Sequence, residues 1–216
     1  MTPARTHLVW DWNGTLLNDF SLVLACTNAA FASVGGPAVS ADEHRVRFRR
    51  PIADYYAEVL GRAVDDEAFG RLDKIFHDAY RVGLTTCELA GDARSAIAAW
   101  SGSQSLLSMW FHDELVPTVH TYGLTGHFSR VDGLRAEVGG DRKAESLRQH
   151  LAELGVDGGS VVLIGDSLDD ADAAEAVGGR AVLYTGGFTD AARLRSSRHP
   201  VAETLTEAVG LAATLR

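Results

Sequence analysis

Residues 9–19 read VWDWNGTLLND, a short apolar run that reaches an aspartate and passes at once into Trp12, Asn13 and Gly14. An Asn-Gly pair between apolar runs ordinarily makes a hairpin, because both residues tolerate positive φ. The alternative is that HLVW at 7–10 is a buried strand, Asp11 its reactive end, and the turn a catalytic loop. The residues beyond the turn favour the second reading. From Asn18 to Val34 the apolar residues Leu22, Val23, Cys26, Ala29, Ala30 and Phe31 recur at helical spacing, and Gly35-Gly36-Pro37 stops the run.

The helical pattern continues. Ser40 and Glu43 have capping-box spacing, Pro51 suits a first helical turn before IADYYAEVLG, and a fourth helix is predicted over about 65–82. No convincing strand interrupts residues 18–88. After Gly91 the pattern alternates: helix 92–100, strand 104–108, helix 112–123, a short FSRVDG segment, helix 143–154, strand 161–166, helix 169–177, strand 180–185 and a closing helix over 202–215. Such alternation marks βαβ units and a parallel sheet. The expected architecture is α/β: a Rossmann-like parallel sheet core (1–17 and 89–216) with an inserted all-helical cap domain (18–88). GDRK at 140–143 has the composition of a linker.

A chain of 216 residues, 46% hydrophobic, can bury a core of this size. Its formal net charge of -9 argues against a nucleic-acid partner, which requires a basic surface. The absence of an apolar run of about 18 residues argues against a membrane partner. The N-terminus has no apolar stretch of signal-peptide length, which points to a cytoplasmic protein, and Cys26 and Cys87 read as buried thiols rather than a disulfide. A small phosphorylated metabolite is the expected partner; monomer and homodimer stay equally open.

Ligands of open parallel sheets bind beyond the carboxyl ends of the strands. There the sequence places Asp11, with Gly14 and Thr15 whose backbone N–H groups could hold an anion, then Ser108, Lys143 and Asp166, with Asp169 and Asp170 close behind. Several carboxylates at one edge need a cation, and oxygen-only ligands suit Mg²⁺, which pairs readily with a substrate phosphate. A carboxylate attacking phosphorus would find positive charge in Mg²⁺ and Lys143.

The order DxxGT, strand-end Ser, Lys and GDSxxD resembles the haloacid dehalogenase superfamily, in its phosphoglycolate-phosphatase-like branch with a helical cap. VWDWNGTLL, QSLLS, DRKAESLRQHLAELG, VVLIGDSLDDADAAEAVG and LYTGG fall in that family's order. The resemblance implies a Mg²⁺-dependent phosphomonoester hydrolase in which Asp11 is the nucleophile, forming an aspartyl-phosphate. It implies metal ligation by Asp11, the Asn13 carbonyl, Asp166 and Asp170, with Asp170 preferred to Asp169 on spacing. Ser108 and Lys143 would bind the phosphoryl group.

The chain departs from the family at Asn13. The phosphatase pattern is DxDxT, and its second aspartate protonates the leaving alkoxide; an amide cannot. Asp19 is a candidate substitute acid. A different reaction of the same fold, phosphoryl transfer or hydrolysis of a carbon–phosphorus or carbon–halogen bond, and a weakly catalytic binding module stay open beside the phosphatase. In HRVRFRR at 44–50, Arg49 and Arg50 could clamp a second anionic group of the substrate or could simply pair with nearby acids. His112, His120, His127 and His150 lack metal-ligand spacing and read as surface or packing residues. Tyr55, Tyr56, Phe69 and Phe76 read as apolar helix faces, and Trp12 either faces the cleft or packs beneath its turn.

Overall fold

The computed structural model describes residues 6–135 and 143–215. Its centre is a six-stranded sheet in the order β5-β4-β1-β6-β7-β8, with every pairing parallel. The strands are β1 (His7–Trp10), β4 (Gln104–Phe111), β5 (Val131–Leu134), β6 (Val161–Gly165), β7 (Arg180–Tyr184) and β8 (Val201–Ala202). Successive side chains of a strand point to opposite faces, and the apolar runs fill both. Leu8, Trp10, Leu106, Val162, Ile164 and Val182 enter one core layer, while Val9, Leu107, Leu163, Ala181 and Leu183 enter the other. Burying one such side chain stabilises the fold by roughly 1.5–3 kcal/mol.

Helices cover both faces. On the first lie α5 (Ala93–Ala99), α6 (His112–Thr121) and α10 (Leu205–Thr214), whose Ile97, Leu115, Leu205 and Val209 are buried there. On the second lie α7 (Ala144–Leu154), α8 (Leu168–Ala176) and α9 (Ala191–Arg195), through Leu147, Ala171, Ala174 and Leu194. Between β1 and α5 the chain makes the helical segment α1 (Phe20–Ser33), α2 (Ala41–Arg47), α3 (Ile52–Leu60) and α4 (Asp66–Gly83). The predicted Ser40–Glu43 capping box starts α2, and Gly61 ends α3 in a left-handed conformation at φ 62°.

Several boundaries differ from the sequence reading, each for a tertiary reason. Residues 17–18 (β2) and 88–89 (β3) pair antiparallel where no strand was expected, because the chain leaves and re-enters the sheet layer at adjacent points. β4 runs on to Phe111 rather than ending at 108, its pairing with β5 shifting register between Leu107 and Phe111. The closing helix begins at Leu205, since Val201–Ala202 is drawn into the sheet beside β7. Residues 140–142 of the expected linker lie outside the described residues. Among the described residues no helix is long and apolar enough to cross a membrane.

Candidate active site

Asp11 follows the last residue of β1, and its N–H donates to the Ile164 carbonyl of β6 at 2.9 Å, so the two central strands hold the backbone that carries it. Asp166 follows β6 in the same way. Asp170 is positioned by local sequence: Ser167 caps α8 in a capping box with Asp170, whose Oδ2 accepts from the Ser167 N–H at 3.0 Å and hydroxyl at 2.7 Å. The other Asp170 oxygen, Oδ1, accepts from Lys143 Nζ at 2.6 Å, and Lys143 Nζ also donates to Asp11 Oδ1. One buried ammonium thus bridges two buried carboxylates, with Asp166 beside them. The Asp169 carboxylate faces outward from this group; it accepts from the Lys143 backbone N–H at 3.1 Å and lies 3.8 Å from Arg50.

Close approach of backbone to carboxylate requires glycine at two points. At Gly14 φ is +71° and a Cβ would stand 2.8 Å from Asp166 Oδ2; at Gly187 it would stand 2.2 Å from the same oxygen. The Phe188 N–H next to Gly187 donates to Asp166 Oδ2 at 2.6 Å. Thr15 Oγ1 sits between Asp11 Oδ2 (3.2 Å) and Asp166 Oδ1 (3.3 Å).

Burial pushes the Asp11 carboxyl up to about 6, Lys143 opposing and Asp170 reinforcing that shift. Burial also raises Asp166, with Asp11 and Asp170 adding to it. Burial works to lower Lys143, but the carboxylates of Asp11 and Asp170 outweigh it and hold the ammonium protonated. Asp11, Asp166 and Asp170 each offer an oxygen within 4.8 Å of the others. Three buried carboxylates against one bridging ammonium leave negative charge to be offset, and an all-oxygen donor set of this kind fits a hard divalent cation such as Mg²⁺.

Not every expected residue points at this pocket. The N–H groups of Gly14 and Thr15, expected to hold an anion, are turned inward instead: Gly14 N–H donates to Asp19 Oδ1 at 2.8 Å and Thr15 N–H to the Trp12 carbonyl at 3.2 Å. The tight turn consumes its own donors. The Ser108 hydroxyl donates to Asn13 Oδ1 and accepts from the Trp110 N–H, both at 3.0 Å. Arg49 pairs with Glu58, whereas Arg50 lines the pocket with Asp11, Asn13 and Lys143. Trp12 packs under its turn, fully buried, 5.7 Å from Tyr122. His150 is buried between Asp132 (2.7 Å) and Ser105 (2.8 Å).

Asn13 is held on three sides. Besides accepting from Ser108, its Nδ2 donates to Asp19 Oδ2 at 2.9 Å and to the Tyr80 hydroxyl at 2.8 Å, while Tyr80 donates to Asp19 Oδ2 at 2.7 Å. Asp19 therefore accepts from Gly14, Asn13 and Tyr80 together. Burial raises its carboxyl and these three donors pull against that shift. Tyr80, from α4, carried no signal that sequence could separate from ordinary helix packing. Nor did Phe188, although TGG at 185–187 announces a tight loop after β7.

Comparison with known proteins places this geometry. The HAD-hydrolase-like family model matches residues 138–208, the stretch that carries Lys143, Asp166 and Asp170. The chain resembles haloacid dehalogenase-like proteins in the sequence of that stretch and, over nearly its whole length, in fold. A phosphoglycolate phosphatase of Chromobacterium violaceum is 25% identical over 205 residues, which cover 87% of this chain and 88% of that protein. A haloacid dehalogenase-like hydrolase of Streptococcus pneumoniae superposes with a TM-score of 0.79 at 20% identity, covering 96% of this chain and 98% of its own. A structure described as a predicted phosphatase of Clostridium acetobutylicum superposes at 0.83 with 13% identity, covering 98% and 99%. Outside the stretch matched by the family model, at position 13, Ser108, Tyr80 and Asp19 are the groups that fix the amide.

Proposed function

We propose that the chain is a Mg²⁺-dependent phosphatase of a small phosphate monoester, acting through an aspartyl-phosphate on Asp11, with helices α1–α4 as a cap over the site. The observation that carries this reading is the buried Asp11 carboxylate at a strand end, bridged by Lys143 to Asp170 and flanked by Asp166. Asp11, Asp166, Asp170 and the Asn13 carbonyl would hold the metal. When bound, it supplies positive charge against the carboxylates and the phosphoryl oxygens.

The residues of the chain then divide the work. An oxygen of Asp11 forms a bond to phosphorus as the ester P–O bond breaks, its electron pair leaving with the alcohol oxygen. Lys143 holds Asp11 in place and adds positive charge where the equatorial oxygens gather. In the second half, water attacks phosphorus, the bond to Asp11 breaks, and the carboxylate is restored. Arg50, which lines the pocket, is placed to meet the incoming anion. The Asn13 amide, committed to Ser108, Asp19 and Tyr80, offers no proton to the departing oxygen. The reaction therefore favours leaving groups that need little protonation. Mg²⁺-dependent phosphate release from acetyl phosphate and 4-nitrophenyl phosphate, absent in Asp11→Asn, is the expected result. Silence of the folded wild-type protein on both would favour a binding module instead.

A further inference from the structure

Between the helical segment and the sheet edge lies a cleft of ≈ 100 Å³. Asn13, Phe48, Arg50, Met109 and Phe188 line both this cleft and the pocket that holds Asp11 and Lys143, so the two spaces adjoin at these residues. An ester whose phosphate sits at Asp11 places its alcohol portion in the cleft. The walls there are aromatic: Tyr55, Tyr56, Phe76, Tyr80 and Trp110 contribute rings. Helical periodicity marks several of these as packing residues, and most are buried, yet they line the cleft as well.

Polar atoms in this wall lack hydrogen-bond partners among the described residues. His44 is 1% exposed; its Nδ1 shares a 2.9 Å hydrogen bond with the Tyr55 hydroxyl, while its Nε2 has no partner. His77 places Nε2 3.3 Å from Asp73 Oδ1 and leaves Nδ1 unpaired, and Trp110 Nε1 is likewise unpaired. Leaving such an atom buried and unsatisfied is costly, and a bound ligand can remove that cost. Charge in the cleft is asymmetric. Asp73 contributes a carboxylate to the wall, and the cationic side chain lining it among the described residues is Arg50, shared with the phosphate pocket. Burial lowers His44 to about 4, so that ring is neutral near pH 7.

Resting on the phosphatase reading, we infer that the substrate is a phosphate monoester whose alcohol portion is a flat, uncharged aromatic ring bearing a hydrogen-bonding group, not a small hydroxy acid. The ring stacks among the cleft aromatics, and its polar substituent meets His44 or the His77–Asp73 pair. A second anionic group, such as the carboxylate of phosphoglycolate, would face Asp73 and compete with the phosphate for Arg50.

The test compares benzyl phosphate, 3-hydroxybenzyl phosphate and phosphoglycolate on the full chain with Mg²⁺; all three release an alkoxide, so the contrast isolates the cleft. Acetyl phosphate, too small to need the cleft, reports the phosphatase reading separately. Benzyl phosphate is expected to exceed phosphoglycolate in kcat/KM by about 10-fold or more, and the hydroxyl to add to that. His77→Phe and His44→Phe, which keep ring shape and remove the polar atoms, are tested in turn, and at least one is expected to erase the hydroxyl's gain through KM. Hydrolysis of acetyl phosphate together with equal or better use of phosphoglycolate overturns the inference and leaves the phosphatase standing. Retention of the hydroxyl's gain in both variants overturns the assignment of its partners. Inactivity on all three esters and on acetyl phosphate overturns the phosphatase reading and the inference with it.

Discussion

Exchanging the side chains at 13 and 19, as Asn13→Asp with Asp19→Asn, tests whether the missing acid limits turnover. Asn13→Asp alone would set two carboxyl groups at the 2.9 Å now spanned by the Nδ2 to Oδ2 hydrogen bond. The pair would share one tightly held proton. The double exchange instead reverses the polarity of the network. An amide at 19 can donate to a carboxylate at 13 and still accept from the Gly14 N–H, and Tyr80 can accept from one and donate to the other. Ser108 keeps its acceptor at position 13. The net charge of the buried network is unchanged, and the titrating group moves to the residue that lines the phosphate pocket. General acid–base catalysis contributes about 10²–10⁴-fold, roughly 3–5 kcal/mol of barrier. Steady-state phosphate release with Mg²⁺ should rise by at least about 10²-fold for benzyl phosphate, whose alkoxide needs a proton. It should rise by less than about 10-fold for 4-nitrophenyl phosphate, whose leaving group does not. An unchanged rate on the alkyl ester, in a double variant with wild-type Tm and near-ultraviolet circular dichroism, would refute the assignment of the lost role to position 13.

Other perturbations probe the same site and the fold around it. Lys143→Met leaves Asp11 and Asp170 buried without their bridging ammonium and should cost about 3–5 kcal/mol in urea unfolding with chelator present, part of it recovered by millimolar Mg²⁺. Gly187→Ala drives a methyl against Asp166 Oδ2, so Mg²⁺ binding measured by calorimetry should weaken while the far-ultraviolet spectrum stays native. Burial lowers the rings of His7 and His44 to about 4. The unfolded chain binds their protons near pH 6.5 and the folded chain does not, so each ring makes stability fall as pH drops from about 6.5 to 4, by up to about 3 kcal/mol. Imidazole carbon shifts in NMR titration should place both midpoints near 4, and midpoints near 6.5 would contradict the burial argument.

The gathering of carboxylates at the sheet edge was legible because its signals are local in sequence. An apolar run that ends in Asp, twice over, specifies a strand end with a carboxylate, and the parallel topology that brings Asp11 and Asp166 together follows from alternation of helix and strand. The Ser167–Asp170 capping box, which the structure shows, is local as well, a contact across three residues that fixes the Asp170 side chain within one helical turn. The strand β8 and the β2–β3 ribbon were not legible, since two-residue strands exist only through the neighbour that pairs with them. The orientation of the Gly14 and Thr15 N–H groups was likewise hidden, because Asp19 and Trp12 claim them only once the turn has closed.

Sequence by itself determined that this chain builds a parallel sheet with carboxylates at the ends of its strands, and that position 13 carries an amide where the pattern it resembles has an acid. Tertiary structure alone decided what surrounds that amide. Tyr80, separated from Asn13 by 67 residues, and Ser108, separated from it by 95, meet around one side chain. The aromatic residues of α3 and α4 become the wall of a cleft only when the helical segment folds back over the sheet edge. Hydrophobic periodicity specifies which residues are buried. It carries no information about which buried residues face a ligand, because a ring that packs in a core and a ring that lines a cleft obey the same spacing.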